Sequence, residues 1–170
     1  MDAPPFPPSS PQTTSSVQAG LKAVADAARE TGVFGEVTLQ PGMVVCTAAN
    51  SADPAEYRVT VDKGELWVSL VTAARYLSQS IEQTLVHSGD KAGDLLRDEL
   101  IDVGVLKSHS DPLPLVEHFR SQPPEKLYTF RTPLAIGGAG LAHADGQEAA
   151  LKTLLAYRAT FDELGGMAGE

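Results

Sequence analysis

Four histidines, one cysteine and a few spaced carboxylates are the side chains on which this 170-residue chain could base chemistry. His109-Ser110-Asp111 sets an imidazole two residues from a carboxylate, half of an acid/base or ligand set. His87, His118 and His143 stand apart from it, and no pair has the i, i+4 spacing of a helical zinc site. Ser88-Gly89-Asp90-Lys91 matches S-x-x-K, in which a lysine one helical turn away takes the serine proton. The accompanying S-D-N and K-T-G elements are missing, and Gly89 reads as a break between helices, which spoils that geometry. Gly137-Gly138-Ala139-Gly140 precedes a helix, as phosphate loops do. However, His143 stands where G-x-G-x-x-G requires glycine, no P-loop lysine follows, and several residues separate the glycines from the helix start. The stretch reads as a flexible connection.

Asp94, Asp98 and Asp102 recur at i+4 on one helix, a like-charge spacing that weakens a helix by a few tenths of a kcal/mol per pair. Three readings fit the stripe: a solvated face, a surface for a basic protein partner, or a cation site. The last is the poorest, since a hard cation wants oxygens converging in a loop. Cys46 lies inside Met43-Val44-Val45-Cys46, which suits a small buried hydrophobe better than a reactive thiol. Arg131, between Tyr128/Phe130 and Pro133, could pair with an Asp across a sheet or mark a binding face. No cluster amounts to a catalytic or metal signature, and no cofactor is expected. His109, Asp111, Arg131 and His143 remain candidates for the alternative reading, a small enzyme or small-ligand-binding protein with a cleft near the Gly137–His143 loop.

The elements that must position these groups follow from periodicity. Residues 1–14, rich in Pro, Ser and Thr, cannot bury enough apolar surface to offset chain entropy and read as a disordered tail. Residues 15–166 read as a single α+β domain. Val17, Leu21, Val24 and Ala28 form one helical stripe starting near Ser15, and Gly32 is placed to end it. Val33–Leu39 and Val44–Ala48 read as strands joined by Pro41-Gly42. Tyr57, Val59 and Val61 alternate with polar residues, Asp62-Lys63-Gly64 turns the chain, and Leu66, Val68 and Leu70 alternate with Trp67, Ser69 and Val71. This last strand, apolar on both sides, belongs near the sheet's centre.

Thr72 is placed to cap a helix carrying Ala74, Leu77, Ile81 and Leu85. A second helix, Lys91 to Val103, turns Leu95, Leu96 and Ile101 inward. The segment 108–124 holds four prolines around a helical turn, Leu115–Phe119. Leu127–Ile136 reads as a strand, with Pro133 favouring an edge or a strand end. Asp145 and Glu148 have capping-box spacing for a last helix striped by Ala150, Leu154, Tyr157, Phe161 and Leu164. Consecutive strands joined by hairpins imply an antiparallel sheet of about five strands with helices packed on one face. Trp67 and Val71 then lie on the face away from the helices, where Trp67 is partly exposed unless a second helix layer or the N-terminal segment covers it; both are interface candidates, together with the Asp94, Asp98 and Asp102 stripe.

A formal net charge of −9 opposes phosphate backbones and anionic lipid, so neither nucleic acid nor membrane is expected as a partner. A protein partner or self-association is favoured. The lone cysteine and a start without a basic, then apolar, segment suit a cytoplasmic protein. The element order resembles the YbjN-like and type III secretion chaperone-like families, carried by Tyr57–Leu85 and Leu127–Leu164, with 90–103 and 108–124 as apparent insertions. That resemblance implies a non-enzymatic protein that holds extended protein segments on a sheet or helix surface, as a monomer or dimer.

Overall fold

A computed structural model describes residues 11–49, 54–73, 79–83, 92–108, 111, 114–121 and 127–164. Helix α1 (Pro11–Thr31) leads into strands β1 (Phe34–Gln40), β2 (Met43–Ala48), β3 (Ala55–Asp62) and β4 (Glu65–Thr72). Then come α2 (Ala92–Asp102), β5 (Glu117–Arg120), β6 (Tyr128–Leu134), a 3-10 turn (Gly138–Ala142) and α3 (Ala144–Leu164). Residues 79–83 are also helical. The class is α+β, with a fully antiparallel sheet ordered β1-β2-β3-β4-β6-β5.

The sheet therefore has six strands, one more than expected. The extra strand is β5, at Glu117–Arg120, where a helical turn was read. Four residues between proline-containing flanks carry too little periodicity to declare themselves. Pairing with β6 decides their state.

Turn chemistry sets the hairpins. Lys63 (φ 52°) and Gly64 (φ 79°) both take positive φ, as a two-residue primed turn requires. Gly42 (φ 71°) follows Pro41 in the β1–β2 turn. β3 and β4 lie at the sheet's centre, as the two-sided apolar pattern of β4 predicted.

Pro133 is not on an edge strand but one residue from the end of β6, the other position expected of it. Ser121 N donates to Leu127 O (2.8 Å), so odd-numbered β6 residues aim their backbone groups at β5. β5 ends opposite Arg131, so the missing N–H of Pro133 falls where no neighbour needs it.

The register sorts the side chains into two layers. Val44, Cys46, Tyr57, Val59, Leu66, Val68, Leu70 and Phe130 share the face that packs against Leu21, Val24, Ala25 and Ala28 of α1 and Ala150, Leu154, Tyr157 and Phe161 of α3. α2 packs on α3 through Leu96 and Leu100. Leu100, not Ile101, is the inward residue, because the turn is read one position earlier. Ile81 joins the same core. Among the described residues every helix therefore lies on one face.

α1 begins at Pro11, earlier than Ser15, so the expected tail boundary at residue 14 falls inside a helix. Thr72 ends β4, and its hydroxyl donates to Pro54 O (2.7 Å); the helix start it is placed to cap lies outside the described residues. α3 starts at Ala144, which puts Asp145 in the first turn, near the helix's positive end. The breadth of α3's apolar face has an internal use, since Leu151 and Leu155 pack against the core.

The Gly137–Gly146 stretch is a packed joint, not a flexible connection. A Cβ at Gly20 would overlap the Leu141 carbonyl, and one at Gly146 would overlap that of Gly140. Gly138 N donates to Gly64 O (2.9 Å), which ties the joint to the β3–β4 turn. These glycines let α1, the turn and α3 touch backbone to backbone. Close packing of that kind is incompatible with a phosphate cradle.

Candidate functional site

The face of the sheet away from the helices carries its own side-chain layer, fixed by the strand register. One row runs Val45, Arg58, Ser69, Arg131, Glu117. Its neighbours run Met43, Thr60, Trp67, Pro133 and Thr47, Glu56, Val71, Thr129, Phe119. Val45, Trp67 and Val71 are buried, yet none belongs to the core cluster.

Trp67 is only 9% exposed, not partly open as expected for a face that no described helix covers. Arg131 covers one face of its ring. Its guanidinium carbon lies 3.8 Å from the Trp67 ring centroid and 5.0 Å from that of Phe119. Its Nε donates to Glu117 Oε2 at 2.7 Å. The partner of Arg131 is thus a glutamate on the adjacent strand, not an aspartate. Arg131 is ion-paired within the sheet and lies on its open face. A planar guanidinium over an indole is worth about 0.5–2 kcal/mol, depending on how dry the contact is.

A second ion pair on this face joins Arg58 to Glu56 (Nη2–Oε2 2.6 Å). It borders a concavity of about 360 Å³ that also takes in Thr47, Pro54, Val71 and Leu127. The open face thus combines buried apolar anchors with paired charges.

The remaining candidate residues lie elsewhere. Asp94, Asp98 and Asp102 are on α2, in the helical layer, so they share no surface with Trp67 and Val71. Asp94 Oδ1 lies 3.7 Å from Arg97 Nη2, while Asp98 and Asp102 are exposed. Asp111 accepts the backbone N–H groups of Lys107 (2.8 Å) and Ser108 (3.2 Å). Those two bonds hold its carboxyl below the ordinary range and give it a local loop-closing role. His143 is exposed and links the 3-10 turn to α3 through its backbone, accepting from Gln147 N at 3.1 Å. His118 stacks on Phe130 (centroids 3.9 Å apart), with Nε2 2.7 Å from Glu82 Oε1. His87, His109 and the Ser88–Lys91 motif lie outside the described residues.

The structure therefore does not gather Asp111, Arg131 and His143 into one cleft. A second concavity, of about 400 Å³, opens between α2, α3 and the end of β6, walled by Leu100, Leu106, Leu134, Ile136 and Thr153 among others, with no titratable side chain among the described residues that line it. Cys46 is fully buried on the core face, and desolvation pushes its thiol up to about 12, so it is no nucleophile near neutral pH. Among the described residues no group of three or more His, Cys, Asp or Glu side chains could hold a metal ion. Nor, among them, is any helix long and apolar enough to cross a membrane.

Phe119, Glu117 and the Glu56–Arg58 pair are the participants that residue-level reading missed. Glu117-His118-Phe119-Arg120 has no apolar/polar alternation, so no local signal marked this strand. No protein-family model matches the chain, and no curated protein or solved structure matches it either.

Proposed function

We propose that this protein is a non-enzymatic, chaperone-like interaction module of the cytoplasm that binds a segment of a partner protein on its open sheet face. One observation carries the reading: a buried apolar layer of Val45, Trp67 and Val71 sits outside the core cluster, on a face with no described helix, under an arginine stacked on the tryptophan. Tryptophan and arginine dominate binding energy at protein interfaces because they join large area to directional bonds. The net charge of −9 favours a basic or neutral protein segment over nucleic acid or an anionic membrane.

Trp67 is the sole tryptophan, so its fluorescence reports occupancy of this face. The test is titration of the protein with arrayed unstructured peptides. Saturable changes in Trp67 emission that vanish in Arg131→Ala support the reading. Emission indifferent to every peptide, or peptide affinity unchanged in Arg131→Ala, refutes it.

A second reading is favoured by the uncharged concavity beside Ile136: a carrier of a small neutral apolar molecule. Medium-chain alcohols should then raise the melting temperature, and Thr153→Leu, which fills the cavity, should abolish that rise. No rise with any such ligand disposes of it.

A further inference from the structure

The two edges of the sheet are treated differently. At the β1 edge, α1 reaches over: Arg29 Nε and Nη2 donate to Val37 O (3.3 and 3.1 Å), and Gln18 Nε2 donates to Gln40 O (3.2 Å). A register irregularity between Phe34 and Val37 bends that strand further. Capping and bulging are the devices by which sheets block unwanted pairing.

β5 forms the other edge. The bond from Ser121 N to Leu127 O fixes the phase of the ladder, so Glu117, Phe119 and Ser121 face β6, while His118 and Arg120 aim their N–H and C=O groups outward. Two of the most exposed large hydrophobic residues, Leu115 (57%) and Phe119 (41%), lie just before this strand and on it.

We infer that β5 pairs antiparallel with β5 of a second copy of this chain, about a two-fold axis through Phe119. This goes beyond the open-face reading, since it uses the sheet's edge. The register follows from the chain. In an antiparallel pair, opposed residues share a face, so a symmetric pairing must centre on a residue, not between two. Centring on Phe119 opposes His118 to Arg120 of the second copy, and these are the outward-facing residues, so each such pair exchanges both backbone hydrogen bonds.

Phe119 then meets its own symmetry mate in a non-hydrogen-bonded position, where side chains approach closest and aromatic pairs are favourable. On the opposite face, Arg120 of the second copy arrives beside His118, whose ring already holds the Glu82 carboxylate. That supplies a carboxylate for an arginine that is exposed in one copy. Centring on His118 would instead oppose two imidazoles and place Glu117 against Phe119, with neither gain. The pairing joins two six-stranded sheets into one and continues the Trp67–Arg131–Phe119 stack across the axis.

The test uses the full chain in analytical ultracentrifugation over a wide concentration range, with two variants. Wild type should show a monomer–dimer equilibrium. Arg120→Pro removes an N–H that β6 does not use and puts a ring in the interface. It should weaken dimerisation at least about tenfold, which corresponds to about 1.4 kcal/mol, with an unchanged circular dichroism spectrum. Phe119→Cys should form an interchain disulfide under mild oxidation, because opposed residues at that position satisfy disulfide geometry, while Leu115→Cys should not. A wild-type chain that stays monomeric at every concentration overturns the inference. So does a dimer that Phe119→Cys fails to cross-link, or one indifferent to Arg120→Pro. Sedimentation reads self-association and Trp67 emission reads peptide binding, so failure of the peptide-binding reading and failure of this pairing are separately visible.

Discussion

Gly20→Ala sets two physical effects against each other, and the structure decides the sign. Gly20 lies in the interior of α1, where alanine is the better helix former by about 1 kcal/mol. Helix propensity alone therefore predicts a more stable protein. The packing predicts the opposite. The new Cβ would overlap the backbone carbonyl of Leu141 and crowd its Cβ. That carbonyl cannot swing aside as a side-chain tip would, because the turn is held by Gly140 N donating to Gly137 O (3.2 Å) and His143 N donating to Gly140 O (3.1 Å). The preceding Gly140 carbonyl is in turn pressed by α3 at Gly146. Overpacking costs about 1–3 kcal/mol where neighbours can yield. With rigid backbone as the neighbour the upper value applies, so the net loss is about 2 kcal/mol after the propensity gain.

That loss corresponds to a fall in Tm of about 4–8 °C for a chain of this size. Urea unfolding followed by far-ultraviolet circular dichroism and Trp67 fluorescence measures it, with an unchanged m-value expected. Ala19→Gly, at the exposed neighbouring position, is the control and should lose about 1 kcal/mol by propensity alone. A Gly20→Ala protein as stable as wild type would refute the backbone-contact argument and, with it, the description of the 3-10 turn as a packed joint.

The Thr132 and Tyr157 hydroxyls share a buried hydrogen bond of 2.7 Å, so Tyr157→Phe and Thr132→Val should each cost about 1–2 kcal/mol, whereas the double variant should cost clearly less than their sum. Urea denaturation of all four proteins closes that cycle, and strict additivity would show the bond to be energetically idle. Cys46 should react with a thiol reagent at pH 8 only after unfolding. Because folding raises its pKa from 9.0 to about 12, the stability it contributes should be complete below pH 9 and be lost as pH rises towards 12. Cys46→Ala should flatten that part of the stability–pH curve. Arg29→Ala should cost less than about 1 kcal/mol, since its contacts are exposed. It should nevertheless raise light scattering on heating, because the β1 edge loses its cap.

Local order was legible in the amino-acid sequence. Stripes at 3.6-residue spacing marked α1 and α3, and alternation marked β3 and β4. Gly32, Gly42 and Gly64, all at positive φ, punctuated the chain where glycine was read as a stop or a turn. These features depend on residues within a few positions of one another, so the chain states them directly. The same locality explains the failures. β5 is four residues long and has no apolar/polar alternation, so nothing local sets it apart from its proline flanks. Likewise, a glycine-rich run looks flexible until Gly20, more than a hundred residues away, is seen to touch it.

The candidate site follows the same division. Residue types alone singled out Trp67, Val71 and Arg131. The strand order then set Arg131 over Trp67, brought Glu117 and Phe119 alongside, and separated all of these from Asp94, Asp98, Asp102, Asp111 and His143. Periodicity and turn chemistry are properties of neighbours in the chain, whereas a guanidinium stacked on an indole requires β4 and β6, about sixty residues apart, to pair in one register. That pairing is chosen by burial of the whole core face, and no short stretch of sequence contains it.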